Sequence, residues 1–283
     1  MVNVINRPTN TITIQRSEVC QTIDEQYTSL RFKRLLEEAT SADALLRLMG
    51  RFFQYAAAFG PGQACLASHV AIRKNLFNSP TEIGVFADTS VKIGAGIFFG
   101  AIDEFGDREA PEPYTHRDLA LATLKGMAQF FGYDMMLLSE LIHQHTPTNN
   151  AILKVHSSYG LNVVMDEADL FRGIGFHLGT EVLGEDENRI LDEFFRTKRP
   201  DITEFLEKTE VEIDGKLLPA NYWFSRHIVA DAEHFDAGIA GANEALHYYA
   251  GLENRQQVKN WIIEGVREIS VLMSEFMDGV MKD

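Results

Sequence analysis

Apolar positions recur at helical spacing along almost the whole chain, and the alternation of a half-buried strand is scarce. The pattern predicts helices over 29–38, 42–58, 63–75, 91–105, 116–131, 134–145, 151–182, 185–195, 221–249 and 256–282. Punctuation supports the division. Ser41 stands before Ala42 and Asp43 as an N-cap followed by an early acid, and Asp134 follows the Gly132-Tyr133 break in the same way. GDREAPEPY, residues 106–114, holds two prolines and a glycine, so the chain must bend there. VEIDGKLL, 211–218, places Asp214-Gly215 in a two-residue turn between alternating flanks, the signal of a β-hairpin. Residues 1–20 read as a polar tail and 21–283 as a single helical domain. The expected fold is all-α, a helical bundle with a small hairpin insertion near 211–218.

Composition narrows the class. The 283 residues are 45% hydrophobic and 10% aromatic, enough for a packed core. The longest apolar stretch, MGRFFQYAAAF at 49–59, is too short and interrupted to cross a bilayer. The first twenty residues lack the basic start, apolar run and small-residue cleavage site of a secretion signal, so a cytoplasmic location is expected. Cys20 and Cys65 are too few and too far apart for a disulfide framework or a thiolate zinc site. With 41 acidic residues against 26 basic ones the formal charge is −15, which repels nucleic acid. The short basic runs RFKR at 31–34 and RTKR at 196–199 read as solvated helix faces.

One segment carries chemistry. In HIVADAEH, 227–234, the spacing of His227, Asp231 and His234 is i, i+4 and i+7, which puts two imidazoles and a carboxylate on one stripe of a helix. Trp223 and Phe224 continue the stripe on one side and Gly238 on the other, so it is expected to face inward. A buried carboxylate costs several kcal/mol unless a cation or donors compensate it, which makes a metal one answer and a hydrogen-bonded structural cluster another. A helix offers only two or three ligands on one stripe, so a di-metal site needs facing helices. Glu104 shares the apolar stripe of Ile97, Gly100 and Ala101. His116 opens the helix after the bend, and Glu181 follows the glycine-rich GIGFHLG.

IDEFG with His116, then GFHLGTEVL with Glu181, then HIVADAEH, in that order, resemble the haem-oxygenase-like di-iron oxidases and oxygenases. The resemblance spans roughly 91–241, and the His-x3-Asp-x2-His element is its most specific part. The gap between Glu104 and His116 is longer than is common in that family, and the gap from Glu181 to His227 is stretched by the hairpin. The resemblance implies a haem-oxygenase-like helical bundle, metal ligation by Glu104, His116, Glu181, His227, Asp231 and His234, two Fe(II) ions per chain, and O2 as co-substrate. It implies oxidation of a small molecule, an amino acid or carboxylic acid, by desaturation, carbon–carbon cleavage or N-oxygenation. An external electron donor and a homodimer belong to the same expectation. A substrate carboxylate would want an arginine, and Arg172 and Arg226 lie near the ligand segments.

Carboxylates with imidazoles suit iron better than magnesium or structural zinc. Four alternatives stand beside this reading. Glu140 and His143 form an E-x-x-H element that could pair with Asp231 and His234 in a ferritin-like di-metal protein. A metal-free thiaminase-like hydrolase would use a cysteine, and Cys65 has no activating neighbour in sequence. A haem oxygenase would use one proximal histidine, and a metal-free interaction protein none. His69, His145, His156, His177 and His247 fall outside these patterns.

Overall fold

The computed structural model describes residues 12–78, 88–106 and 114–282, without the side chains of residues 88 and 224–232. The helices are α1 (Arg16–Asp24), α2 (Leu30–Glu38), α3 (Ala42–Ala56), α4 (Phe59–Ala71), α5 (Asp88–Phe105), α6 (His116–Phe131), α7 (Met135–Ile142), α8 (Thr146–Ser158), α9 (Glu167–Lys198), α10 (Pro200–Leu206), α11 (Tyr222–Tyr248) and α12 (Arg255–Gly279). The strands β1 (Glu210–Ile213) and β2 (Lys216–Pro219) form the one sheet among the described residues, so the protein is an all-α helical bundle. No described helix is long and apolar enough to cross a membrane.

Local signals set many of the boundaries. Ser41 accepts from the Ala44 N–H, and Asp134 from the Leu137 N–H, each holding an otherwise unpaired first-turn donor. In the hairpin, Ile213 pairs with Lys216 across Asp214 and Gly215, both at positive φ (50° and 81°), as a twist-matched two-residue turn requires. Val211, Ile213 and Leu218 bury against the bundle, and Lys125 of α6 donates to the Glu212 carbonyl at 2.9 Å.

Three expectations need correction. Ordered packing begins inside the expected polar tail: Ile14 is buried, and α1 buries Val19 and Ile23 on one side of an otherwise polar helix. The expected helix over 151–182 is two helices. Gly160 (φ 87°) and Asn162 (φ 59°) turn the chain left-handed after α8, and Asp166 restarts it with a capping box to Asp169. The expected break before 185 is absent, because α9 runs unbroken through Gly184, a residue a helix interior tolerates at about 1 kcal/mol. The short α10, opened by Pro200, was not expected.

The bundle's core is a row of helices. α9 packs most extensively on α12 and then on α11; α11 packs on α5, and α5 on α4. The α9–α12 crossing is very close. A Cβ at Gly175 would lie 1.7 Å from the Ile262 carbonyl oxygen, and one at Gly265 would lie 1.9 Å from that of Arg172, so only glycine fits at either place. The C-terminus is tied down by Arg51 Nη1, which donates to the Val280 carbonyl at 2.5 Å, and by His145 Nε2, which donates to that of Lys282 at 2.7 Å.

Candidate functional site

Helices α5, α6, α9 and α11 bring Glu104, His116, Glu181 and His234 to one cavity of about 560 Å³. Each side chain reaches it for a local reason. His116 is the first residue of α6, whose direction is set by a capping box: Thr115 Oγ1 accepts from the Asp118 N–H, and the Asp118 carboxylate accepts from the Thr115 N–H. The imidazole is thereby aimed back at the end of α5, and its Nδ1 lies 3.1 Å from Glu104 Oε1. Trp223 holds the ring edge-on at 5.9 Å. Glu104 has room because α4 presents Gly60 there; a Cβ at Gly60 would come within 2.6 Å of the Glu104 Cβ.

Glu181 stands in the middle of α9 and is 4% exposed. Gln63 of α4 donates from Nε2 to its Oε1 at 2.7 Å, and His234 Nδ1 lies 3.5 Å from its Oε2. His177, one turn back, places Nδ1 3.3 Å from the same Oε1 without the alignment of a hydrogen bond, and both its ring nitrogens lack a bonding partner among the described residues. Burial holds the His177 imidazole below its usual pKa, against the raising effect of Glu181, so it is neutral at pH 7. No described lysine or arginine pairs with Glu181.

His234 is 4% exposed, and its Nε2 lies 2.9 Å from Asp103 Oδ2. The ring thus lies between two carboxylates, Asp103 at Nε2 and Glu181 at Nδ1. Phe99 packs edge-on against the same ring at 6.0 Å.

The described donors therefore form one carboxylate–imidazole pair of Glu104 with His116, and a second group in which His234 lies between Asp103 and Glu181 with His177 beside Glu181. Among the described residues, no three His, Cys, Asp or Glu side chains converge in an arrangement that would hold one ion. The backbone of α11 is helical through positions 227, 231 and 234, but the side chains of His227, Asp231 and Arg226 lie outside the described residues. The donor set fits iron in kind. The space beside it also fits: Gln63 Oε1 is buried without a donor among the described residues, and a Cβ at Gly100 would stand 3.1 Å from it and 3.3 Å from Glu181 Oε1. An unpaired buried acceptor costs about 1–3 kcal/mol unless a ligand or water donates to it.

The other candidates lie elsewhere. Arg172 is engaged by Glu264 and Asp169, each at 3.1 Å, and lines a separate groove between α8, α9 and α12, so it is not the cavity's cation. Among the described residues, the arginine that lines the cavity is Arg117, an exposed side chain beside His116. Glu140 and His143 are both exposed, and His143 lies past the end of α7, so the E-x-x-H element does not share a buried face. Cys65 is absent from the cavity wall, and burial pushes its thiol pKa up, away from a nucleophilic thiolate. Asp103, Gln63 and His177 were not singled out by the sequence. Asp103 carried one signal, its place beside Glu104 on a helix with few other acids. No protein-family model matches the chain, and no curated protein matches it.

Proposed function

We propose that the chain is a non-haem di-iron oxidase or oxygenase of the haem-oxygenase-like kind, which uses O2 to oxidise a small substrate such as an amino acid or other carboxylic acid. The observation that carries this reading is the pairing of Glu104 with His116 and of Glu181 with His234, from four different helices, on the wall of one cavity. Glu104, His116, Glu181 and His234 would hold two Fe(II) ions together with His227 and Asp231 of α11. Iron so held supplies the electrons that reduce O2 for desaturation, carbon–carbon cleavage or N-oxygenation.

The remaining work falls to the protein. Asp103 fixes the ring orientation of His234, as carboxylates beside ligating histidines do. Gln63 steadies Glu181 through one oxygen and leaves the other facing His234. Aromatic and aliphatic side chains, among them Phe52, Phe53, Phe59 and Trp223, line the cavity and keep bulk water from the reacting centre. An external electron donor, a homodimer and a cytoplasmic location complete the proposal.

The test is anaerobic titration with Fe(II), followed by thermal unfolding and by rapid mixing with O2, for the parent and His234→Ala. Two irons per chain, a raised Tm with iron, and oxygen uptake that the variant loses are expected. Absence of iron binding by the parent would remove the proposal.

A further inference from the structure

Exposure divides the cavity wall into a rim and an interior. Five of the lining residues are exposed: Gln54 and Ala57 of α3, Arg117 and Leu121 of α6, and Asn149 of α8. Arg117 is the one ionised side chain of this described rim, and it makes no ion pair or hydrogen bond among the described residues. The acidic side chains of the wall lie deeper. That of Glu104 is 23% exposed and faces His116, and Glu181 and Glu187 are buried. In a chain of net charge −15, the described mouth of the cavity is marked by a cation.

Behind Arg117 the wall is apolar. Arg117, Ala120, Leu121 and Leu124 stand at i, i+3, i+4 and i+7, so one stripe of α6 carries the cation at its start and aliphatic groups over the next two turns. Phe53, also on the wall, packs edge-on against Trp223 at 5.1 Å, and Trp223 packs against the His116 ring at 5.9 Å. Apolar surface thus continues from the stripe to the Glu104–His116 pair. Arg117 and His116 leave α6 about 100° apart, so a group held by the guanidinium is not the group that meets the imidazole. An anionic head pushed further in would meet Glu104 and Glu181 instead of a cation.

We propose that Arg117 anchors a carboxylate at the mouth of the cavity, and that the substrate is an aliphatic carboxylate bound chain inward. Its chain lies along the α6 stripe, and chain carbons, not the head, face Glu104, His116, Glu181 and His234. The guanidinium is always charged, and its planar fork of donors matches the two oxygens of a carboxylate. A hydroxyl offers that fork a single uncharged oxygen, and an ammonium is repelled by it. The chain gains by leaving water for Leu124, Phe53 and Trp223. This rests on reading the cavity as the substrate site and does not depend on iron.

The experiment uses the full-length protein without added metal. Titration calorimetry measures binding of octanoate, 1-octanol and octylamine to the parent, Arg117→Gln and Arg117→Glu, substitutions at an exposed position that the fold tolerates. Octanoate is expected to bind the parent more tightly than octylamine. Arg117→Gln should weaken octanoate by about two- to fivefold, the range of an exposed ion pair, and leave 1-octanol unchanged. Arg117→Glu should reverse the order of octanoate and octylamine. Orientation is read from Trp223 in a Trp261→Phe background, where it is the one remaining tryptophan. Bromine at the chain end, in 8-bromooctanoate, should quench its fluorescence more than bromine beside the head, in 2-bromooctanoate. No octanoate binding by the parent, octanoate affinity indifferent to both substitutions, or stronger quenching by the 2-bromo acid would overturn the proposal. Octanoate held through Arg117 by a protein that takes up no iron would uphold it and remove the di-iron reading. Iron uptake with octanoate indifferent to Arg117 would do the reverse.

Discussion

Gly175→Ala tests the crossing on which the site's geometry depends. The added Cβ would lie 1.7 Å from the Ile262 carbonyl oxygen and 2.6 Å from its carbon, and the obstacle is backbone, which has no rotamer to change. Ordinary contact requires α9 and α12 to part by about 1.5 Å or more. Overpacking of this kind costs about 3 kcal/mol or more, since backbone must shift. Alanine's better helix propensity returns about 1 kcal/mol, leaving a net loss of about 2 kcal/mol or more. For a chain of this size that lowers Tm by roughly 4–8 °C, measured by thermal unfolding followed by far-UV circular dichroism. Gly265→Ala meets the Arg172 carbonyl at 1.9 Å and demands the same separation from the other side. The double variant should therefore lose less than the sum of the two, as coupled neighbours do. A Gly175→Ala protein as stable as the parent would refute the close crossing, and with it the placement of Glu181, six residues further along α9.

Other outcomes follow from single contacts. Asp103→Asn is expected to weaken Fe(II) binding by about 10–100-fold, the usual cost of losing a carboxylate behind a ligating histidine; unchanged affinity in an iron titration would deny Asp103 its orienting role. Arg172→Gln should leave substrate affinity as it was and change stability by less than about 1 kcal/mol, because its partly exposed ion pairs lie away from the cavity. Glu268 is held above the usual carboxylate pKa chiefly by burial, against the lowering effect of Lys154 and Arg172. A raised folded-state pKa means that stability falls as pH rises through the window from the ordinary carboxylate value upward. Glu268→Gln should accordingly raise Tm at pH 7, with the gain vanishing at pH values below the normal carboxylate range; a gain independent of pH would contradict this.

The helical class, the hairpin and the start of α6 were legible because each has a strong local signal: long apolar periodicity, Asp214-Gly215, and the prolines of GDREAPEPY before His116. Placement of Glu104, Glu181 and His234 on one cavity could be anticipated from their apolar stripes, which turn a carboxylate or imidazole inward, while His116 carried only its place at the start of the helix after the bend. Asp103 was less legible. It lies about 100° from Glu104 around the helix, and both face protein because α5 is packed by α4 on one side and α11 on another. Gln63 has no periodic or charge signature at all. The turn between α8 and α9 was hidden by the apolar residues Leu161, Val163, Val164 and Met165, which continue a helix-like pattern through a left-handed break. Glu187 reads in sequence as one of the three acids of EDEN, 185–188, and only the tertiary fold separates this buried carboxylate from the half-buried Glu185 and Asp186.

α9 is a single uninterrupted rod across Glu181, Gly184 and Glu187. Distances along it are therefore not adjustable by small loop movements. Inserting one residue between Glu181 and Glu187 would turn one carboxylate about 100° around the axis relative to the other, against different walls of the bundle. A change of reach that keeps both on one face comes only in whole turns, about 5.4 Å at a time. A cavity gauged in this way would discriminate ligand length in steps, much as a notched rule does, while a cavity walled by loops would grade it continuously.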